Sequence, residues 1–303
     1  MSDNVLPSRM KPAPSEGADS VGADSCDDGL LKVVSWNLSG LKTDETESLL
    51  EHLSASHEWD VFFVQEGVRS SEVQDCSHIM FLPEEVISGV GSPMIFLHKR
   101  WDGRVLPLSS GARWVAVDLD GTYICVSLYL PQPAHDFSVF RETLKALEVF
   151  LAKYISLRKD IGVHANSRMG YFDDDVHVGG STIRSAPEAK NSERAAALLE
   201  FLSLFGLRLV NTFLEFSRDN DLVTFPGWSG NCKSQIDFVA CSTDTCCTFA
   251  QVDVDLSFST NHRAIYAYFG VAPLVFSSKH YGVRNMLVRL VGRSILQILL
   301  TNR

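Results

Sequence analysis

Five short stretches of this sequence close on a residue able to do chemistry: Trp36-Asn37, Gln65-Glu66, Ser127-Leu128-Tyr129-Leu130-Pro131, Ser234-Gln235-Ile236-Asp237-Phe238 and Asn261-His262-Arg263. Carboxylate, amide and imidazole are the groups that phosphodiester cleavage needs. Charge on the phosphate must be neutralised, a water held in line, and donors aimed at the non-bridging oxygens. Singly, these residues have plainer readings: Asn37 as a turn residue, Glu66 as a helix cap, Tyr129 as a half-buried strand aromatic and His262 as a hydrogen-bonded histidine. They can act together only if the elements carrying them end at one rim.

Apolar runs that close on polar residues predict buried strands over 31–37 and 61–66. Asp44 and Glu47 open a helix between them that presents Leu49, Leu50 and Leu53 on one face. Strands follow over 94–98, 114–119 and 123–129, the last two joined by the tight turn Asp120-Gly121. Amphipathic helices are predicted over 137–157 and 192–205, and strands over 207–210, 222–225, 234–241, 250–254 and 264–269. The run Lys159-Asp160-Ile161-Gly162 is polar where a strand leading into His164 should be apolar, which predicts a shortened strand. Short strands interleaved with helices imply an α/β fold, a two-sheet β-sandwich flanked by helices in four layers.

The 303 residues, 45% hydrophobic and 21% charged, suit one large domain over 30–270 with tails. Residues 1–29, rich in Ser, Asp, Gly and Pro, are expected to be a disordered leader. Residues 271–303 carry five Lys/Arg and no acid, and 283–300 reads as a basic amphipathic tail helix interrupted by Arg284, Arg289 and Arg293. The net charge of −10 falls mostly on the domain, which disfavours tight unaided binding to nucleic acid unless a cation and a local basic patch offset it. Seven cysteines with no C-x-x-C spacing predict reduced thiols, and the neighbours Cys246 and Cys247 should point to opposite faces of a strand. The acidic triplet Asp173-Asp174-Asp175 lacks ligand spacing and reads as a solvated loop. With no signal-peptide h-region and no apolar membrane span, the expectation is an intracellular monomer, the nucleus included.

The order of the five stretches resembles that of the endonuclease/exonuclease/phosphatase superfamily, whose motifs run W-N, Q-E, Y-x-P, G-D-x-N, S-x-I-D-F and S-D-H. The resemblance covers about 31–269. The passages MIFLHKRW at 94–101, GVHANSRMG at 162–170, NSERAAALLEFLSLFGLRLVNTF at 191–213 and VTFPGWSGNCKSQIDFV at 223–239 narrow it to the apurinic-type endonucleases of non-LTR retrotransposons. It implies a DNase I-like sandwich, metal-dependent hydrolysis of DNA, and Mg²⁺ as cofactor with Mn²⁺ as its substitute. Glu66 would be the main metal ligand, with Asn37 beside it orienting metal or phosphate. Tyr129 and Asn166 would contact the scissile phosphate, His262 would donate to it, and Asp237 would hold His262 in its tautomer. Ser234 and Thr224 would support that rim.

Two positions depart from the family pattern. His164 stands where the family has the Asp that orients and deprotonates the attacking water, and Asn261 stands where S-D-H has its Asp. A positioned base is worth roughly 10² to 10⁴ in rate. Three functions therefore compete: an endonuclease with weakened chemistry, an inactive retrotransposon-derived binding or scaffold module, and a small phosphate-ester phosphatase of the same fold.

Overall fold

The structure, a computed structural model, describes residues 29–41, 43–56, 58–68, 78–84, 91–169, 176–180, 193–216, 222–227, 233–253 and 260–270. The expected leader up to residue 28, the acidic triplet at 173–175 and the basic tail at 271–303 lie outside these residues. In chain order the elements are β1 (Leu30–Asn37), α1 (Thr43–Ser56), β2 (Val61–Gly67), β3 (Ile79–Phe81), β4 (Ser92–Leu97), β5 (Val105–Gly111), β6 (Trp114–Leu119), β7 (Tyr123–Tyr129), α2 (Phe137–Leu151), β8 (Arg158–His164), α3 (Glu193–Phe205), β9 (Leu207–Leu209), β10 (Asp237–Ser242), β11 (Cys247–Val252) and β12 (Ile265–Gly270).

Among the described residues the strands form two six-stranded sheets, ordered β11-β12-β1-β2-β4-β3 and β5-β6-β7-β8-β10-β9. The central strands are apolar on both faces because both faces are covered. Val33, Phe63 and Ile95 of the first sheet meet Val115, Val117 and Val239 of the second. On the outer side, Val34, Trp36 and Phe62 pack under Leu49, Leu50 and Leu53 of α1. Phe140, Leu144 and Leu147 of α2, with Leu198, Phe201 and Leu202 of α3, cover the second sheet. The result is the four-layer α/β sandwich that the sequence pattern implies.

Local chemistry sets the boundaries. Asp136 caps α2 by accepting the Ser138 N–H at 2.7 Å, satisfying a donor that the helix cannot pair internally. Asp120 and Gly121 turn the β6–β7 hairpin with φ of 60° and 65°, the left-handed pair that a two-residue primed turn requires. Cys247, the first residue of β11, is buried, and Cys246 just before the strand is exposed.

Two expectations about strands are corrected. The segment 222–225 forms no strand: Phe225 makes a single bridge to Ser234, and Thr224 spends its hydroxyl on backbone donors instead. The strand into His164 is not shortened. β8 runs a full seven residues from Arg158, parallel to β7 and antiparallel to β10. Its polar residues are taken into the interior. Lys159 Nζ donates to the carbonyls of Leu157 and Ile155 at 2.7 and 3.3 Å, and Gly162 is small because a Cβ there would sit 2.3 Å from Phe63 Cβ on the facing sheet.

Asp160 is fully buried in this strand, and neither carboxylate oxygen meets a hydrogen-bond partner among the described residues. Desolvation raises its pKa to about 7, with Arg158 opposing and Asp244 adding. The fold thus favours the neutral acid. That contribution is complete below the unfolded pKa near 4 and is lost as pH rises towards 7, a loss on the order of 4 kcal/mol. Asp160→Asn is therefore expected to flatten the fall in stability between pH 4.5 and 7.5, measured by urea unfolding. Identical pH profiles for wild type and variant would show that the carboxylate is solvated after all.

Candidate active site

Sheet register brings the sequence-selected residues to one rim. In the second sheet, Tyr129 pairs with His164 across β7 and β8, and His164 pairs with Asp237 across β8 and β10, so these three lie in one row on adjacent strands. In the first sheet, Asn37 pairs with Gln65 at the ends of parallel β1 and β2, which places Glu66 beside it. β12 runs antiparallel to β1 with Ile265 opposite Ser35, and its approach carries Asn261 and His262 to the same end.

Asp237 is the centre of the arrangement. Its Oδ1 lies 2.6 Å from Nδ1 of His164 and its Oδ2 lies 2.9 Å from Nδ1 of His262. All three residues are buried. An ionised carboxylate only accepts, so both imidazoles carry their hydrogen on Nδ1 and turn Nε2 away from Asp237. Burial pushes the Asp237 pKa up, but the two histidines outweigh it and the carboxyl titrates well below its usual range. For His164, burial disfavours the imidazolium, yet Asp237 first and then Glu66 and Asn166 prevail, and its pKa stands above the ordinary value.

The imidazoles are held from their faces as well. The Tyr129 ring stacks on His164 at 5.5 Å with the planes 6° apart, Phe225 lies 4.8 Å from His262, and the two imidazoles meet edge to face at 5.0 Å. Burial, helped by Glu66, raises the Tyr129 hydroxyl to about 12 against the pull of Arg113, Asn166 and Gln132. Tyr129 is therefore a neutral donor at physiological pH. Asn166 Nδ2 donates to the Leu130 carbonyl at 2.8 Å, tying the loop after β8 to the Tyr129 strand end.

Glu66 enters from the other sheet in a left-handed backbone conformation, φ 55°, at a register shift between β2 and β4. Such a bulge re-aims a side chain, and a non-glycine residue held there stores on the order of 1–3 kcal/mol. Asn37 Nδ2 donates to Glu66 Oε1 at 2.9 Å, while Asn37 Oδ1 accepts the Ser39 N–H at 2.8 Å. Glu66 Oε1 lies 3.8 Å from His164 Nε2, spanning the two sheets. Gly91 backs this turn: a Cβ on it would fall 2.4 Å from Glu66 Cα. Gly91→Ala is expected to force Glu66 out of place, lowering stability by about 1–3 kcal/mol and weakening cation binding together. Thermal melts with and without divalent cation check this, and an unchanged melting temperature would contradict it.

Some residues of the site were missed or undervalued in the sequence. Ser39, not selected from the sequence, donates through Oγ to Asn261 Oδ1 at 2.6 Å. Thr260 Oγ1 donates to the Asn37 carbonyl at 2.9 Å and accepts the His262 N–H at 3.1 Å, and Trp36 Nε1 donates to the His262 carbonyl at 2.9 Å. Thr224 Oγ1 accepts the N–H groups of Ile236 and Asp237, both at 3.1 Å, and so fixes the start of β10. Arg168 donates to Ser234 Oγ at 2.7 and 3.1 Å. The signal for Thr260 was its place next to Asn261-His262. Arg168 gave none, because its partner lies 66 residues on.

No family model matches the sequence, and no curated protein matches it. Solved structures do. The chain is similar to the endonuclease domain of TRAS1, a telomere-specific non-LTR retrotransposon, with a TM-score of 0.55 and 18% identity over 79% of this chain and 98% of that one. It is also similar to an endonuclease/exonuclease/phosphatase family protein from Leptotrichia buccalis C-1013-b, with a TM-score of 0.52 and 12% identity over 79% of this chain and 99% of that one. The fold is therefore the DNase I-like α/β sandwich that it shares with these two structures. Among the described residues no helix is long and apolar enough to cross a membrane.

Proposed function

We propose that the cleft bounded by Glu66, Asn166 and His262 hydrolyses phosphodiester bonds of DNA, at a rate limited by the residues at 164 and 261. The observation that carries this is the pair of imidazoles fastened through Nδ1 to one buried carboxylate, so that each ring can meet a substrate only through Nε2. In its imidazolium form His262 donates through Nε2 to a phosphate oxygen or to the leaving group, and Asp237 holds the ring in that orientation. Tyr129, neutral, and Asn166 are placed to donate to the non-bridging oxygens. Lys233 is exposed beside Ser234, and Arg168 and Arg263 are half-buried at the same rim, which offers positive charge to neighbouring phosphates on an otherwise acidic chain.

A divalent cation would neutralise charge on the phosphate and acidify a water. The donors suit Mg²⁺ poorly. Among the described residues Glu66 is the carboxylate facing His164 Nε2, and both asparagine oxygens, Asn37 Oδ1 and Asn261 Oδ1, already accept from Ser39. The Asp237 oxygens are taken by the histidines.

The loss of acids at 164 and 261 also supports a second reading, a nucleic-acid-binding module without turnover. Hydrolysis of bis(p-nitrophenyl) phosphate and p-nitrophenyl phosphate, with a parallel DNA mobility-shift assay, separates the possibilities. Diester cleavage without monoester cleavage is expected. Monoester turnover alone would indicate a phosphatase, and a DNA shift with no cleavage of either ester would indicate the binding module.

A further inference from the structure

His164 changes the kind of cation that the rim can hold. Its Nδ1 is occupied by Asp237 at 2.6 Å, so the nitrogen left to a cation is Nε2, which ligates once its proton is displaced and which faces Glu66 Oε1 across 3.8 Å with Asn166 beside it. That separation is too long for a hydrogen bond. Cation–nitrogen and cation–oxygen bonds of about 2.0–2.2 Å span it at an angle of about 130° at the ion, and closing the gap by about 0.4 Å would make the angle tetrahedral. By contrast, a cation between His164 Nδ1 and Asp237 would be squeezed to an angle of about 80°, so the buried triad His164, Asp237 and His262 is not itself the binding position.

The surroundings match the way a metal-bound histidine is held. A ligating imidazole donates its other N–H to a carboxylate, which fixes the tautomer and raises the basicity of the ligating nitrogen. Asp237 does this for His164, stacking on Tyr129 fixes the ring plane, and Asn37 does the corresponding service for the carboxylate of Glu66. Imidazole nitrogen favours borderline first-row cations, whereas Mg²⁺ requires oxygen in near-octahedral array.

We infer that His164 Nε2 and the Glu66 carboxylate together hold a nitrogen-accepting cation of the Zn²⁺ or Co²⁺ type, with water or substrate oxygen completing its shell. What that cation serves rests on the phosphodiesterase reading above. The site itself does not, so the test contains no nucleic acid.

The full chain is titrated with Zn²⁺ while the imidazole ring nitrogens are followed by ¹⁵N NMR, and with Co²⁺ while visible absorption is recorded. The expected result is one high-affinity Zn²⁺ per chain that moves the His164 Nε2 resonance, is not displaced by millimolar Mg²⁺, and gives a Co²⁺ band in the same stoichiometry. His164→Gln and Glu66→Gln should each weaken Zn²⁺ at least tenfold with the far-UV circular dichroism unchanged. Asp237→Asn should weaken it about 10- to 100-fold through the tautomer, basicity and orientation of the His164 ring. If His164→Gln fails to fold, the wild-type ring resonances decide. An unmoved His164 Nε2, or Zn²⁺ affinity that survives both rim substitutions because exposed Cys246 binds the ion, would overturn the inference. Diester cleavage would stand or fall separately.

Discussion

Asp237→Asn is expected to slow diester cleavage by about 10² to 10⁴ and to lower stability by about 3–5 kcal/mol. One carboxylate serves two Nδ1–H donors at 2.6 and 2.9 Å, both inside the protein. An amide offers one acceptor oxygen and one NH₂ group. Whichever imidazole meets the NH₂ must flip its tautomer or lose its partner, and a buried donor left unpaired costs its full desolvation. If His262 flips, its Nδ1 becomes an acceptor, and the imidazolium that donates through Nε2 to the phosphate loses the negative charge that stabilised it. The acid limb follows from the depressed Asp237 pKa. In the wild type this contribution is present above the unfolded value near 4 and is lost only as pH falls through the lower folded value, so the variant should lack that loss. Single-turnover rates and urea unfolding at pH 3.5 and 7 measure both effects. A variant that is less stable but cleaves at the wild-type rate would make the Asp237 pairs purely structural.

His164→Asp combined with Asn261→Asp is expected to raise Mg²⁺-supported cleavage by about 10² to 10⁴, a fall in barrier of roughly 3–5 kcal/mol. Asn261 and an aspartate accept the Ser39 hydroxyl equally well, so that bond at 2.6 Å survives while the rim gains charge. At 164 the change is larger. An aspartate there faces Asp237 with no imidazole between them, and two buried carboxylates so close cannot both ionise unless a cation joins them. The double variant should therefore melt lower than the wild type in chelator and recover with Mg²⁺. The two substitutions act on one unit and should not be additive. Because β8 keeps register with both neighbours, position 164 is correctly placed for this exchange. A wild type as fast as the double variant would make His164 a competent replacement, and an unresponsive double variant would mean that Mg²⁺ is not the cation of this fold member.

The sandwich was legible because its central strands are covered on both faces. Val33-Val34, Phe62-Phe63 and Ile124-Cys125-Val126 are uninterrupted apolar pairs and triplets, buried throughout. Edge strands lack that signature. β5 holds Pro107 and exposes Leu106, and β3 is three half-buried residues long, so neither alternation nor a continuous run announced them. In 222–225 the apolar residues Leu222 and Val223 suggested a strand, whereas the functional atom is the Thr224 hydroxyl beneath Asp237. The run Lys159-Asp160 looked like a defect because burying an unpartnered carboxylate is rare. Its consequence is pH-sensitive stability, not a missing strand.

The candidate site was legible as residue types in order, and the structure places Asn37, Glu66, Tyr129, His164, Asn166, Thr224, Ser234, Asp237, Asn261 and His262 at one rim. Their partnerships were not. That His164 would share Asp237 with His262 depends on the antiparallel register of β8 and β10, which no local pattern encodes across 73 residues. A histidine in an acid's place therefore looked like a loss of function, although its hydrogen bonding fits a different cation.

Nicking of supercoiled plasmid by the full chain, wild type beside His262→Ala, with Mg²⁺, Mn²⁺ or Zn²⁺ and again in excess chelator, tests most directly whether this rim cleaves phosphodiesters. The expected result is slow nicking by the wild type that requires a cation, reduced about 10²-fold or more in His262→Ala. A wild type that nicks with none of these cations, or a His262→Ala variant that nicks just as fast, would contradict it.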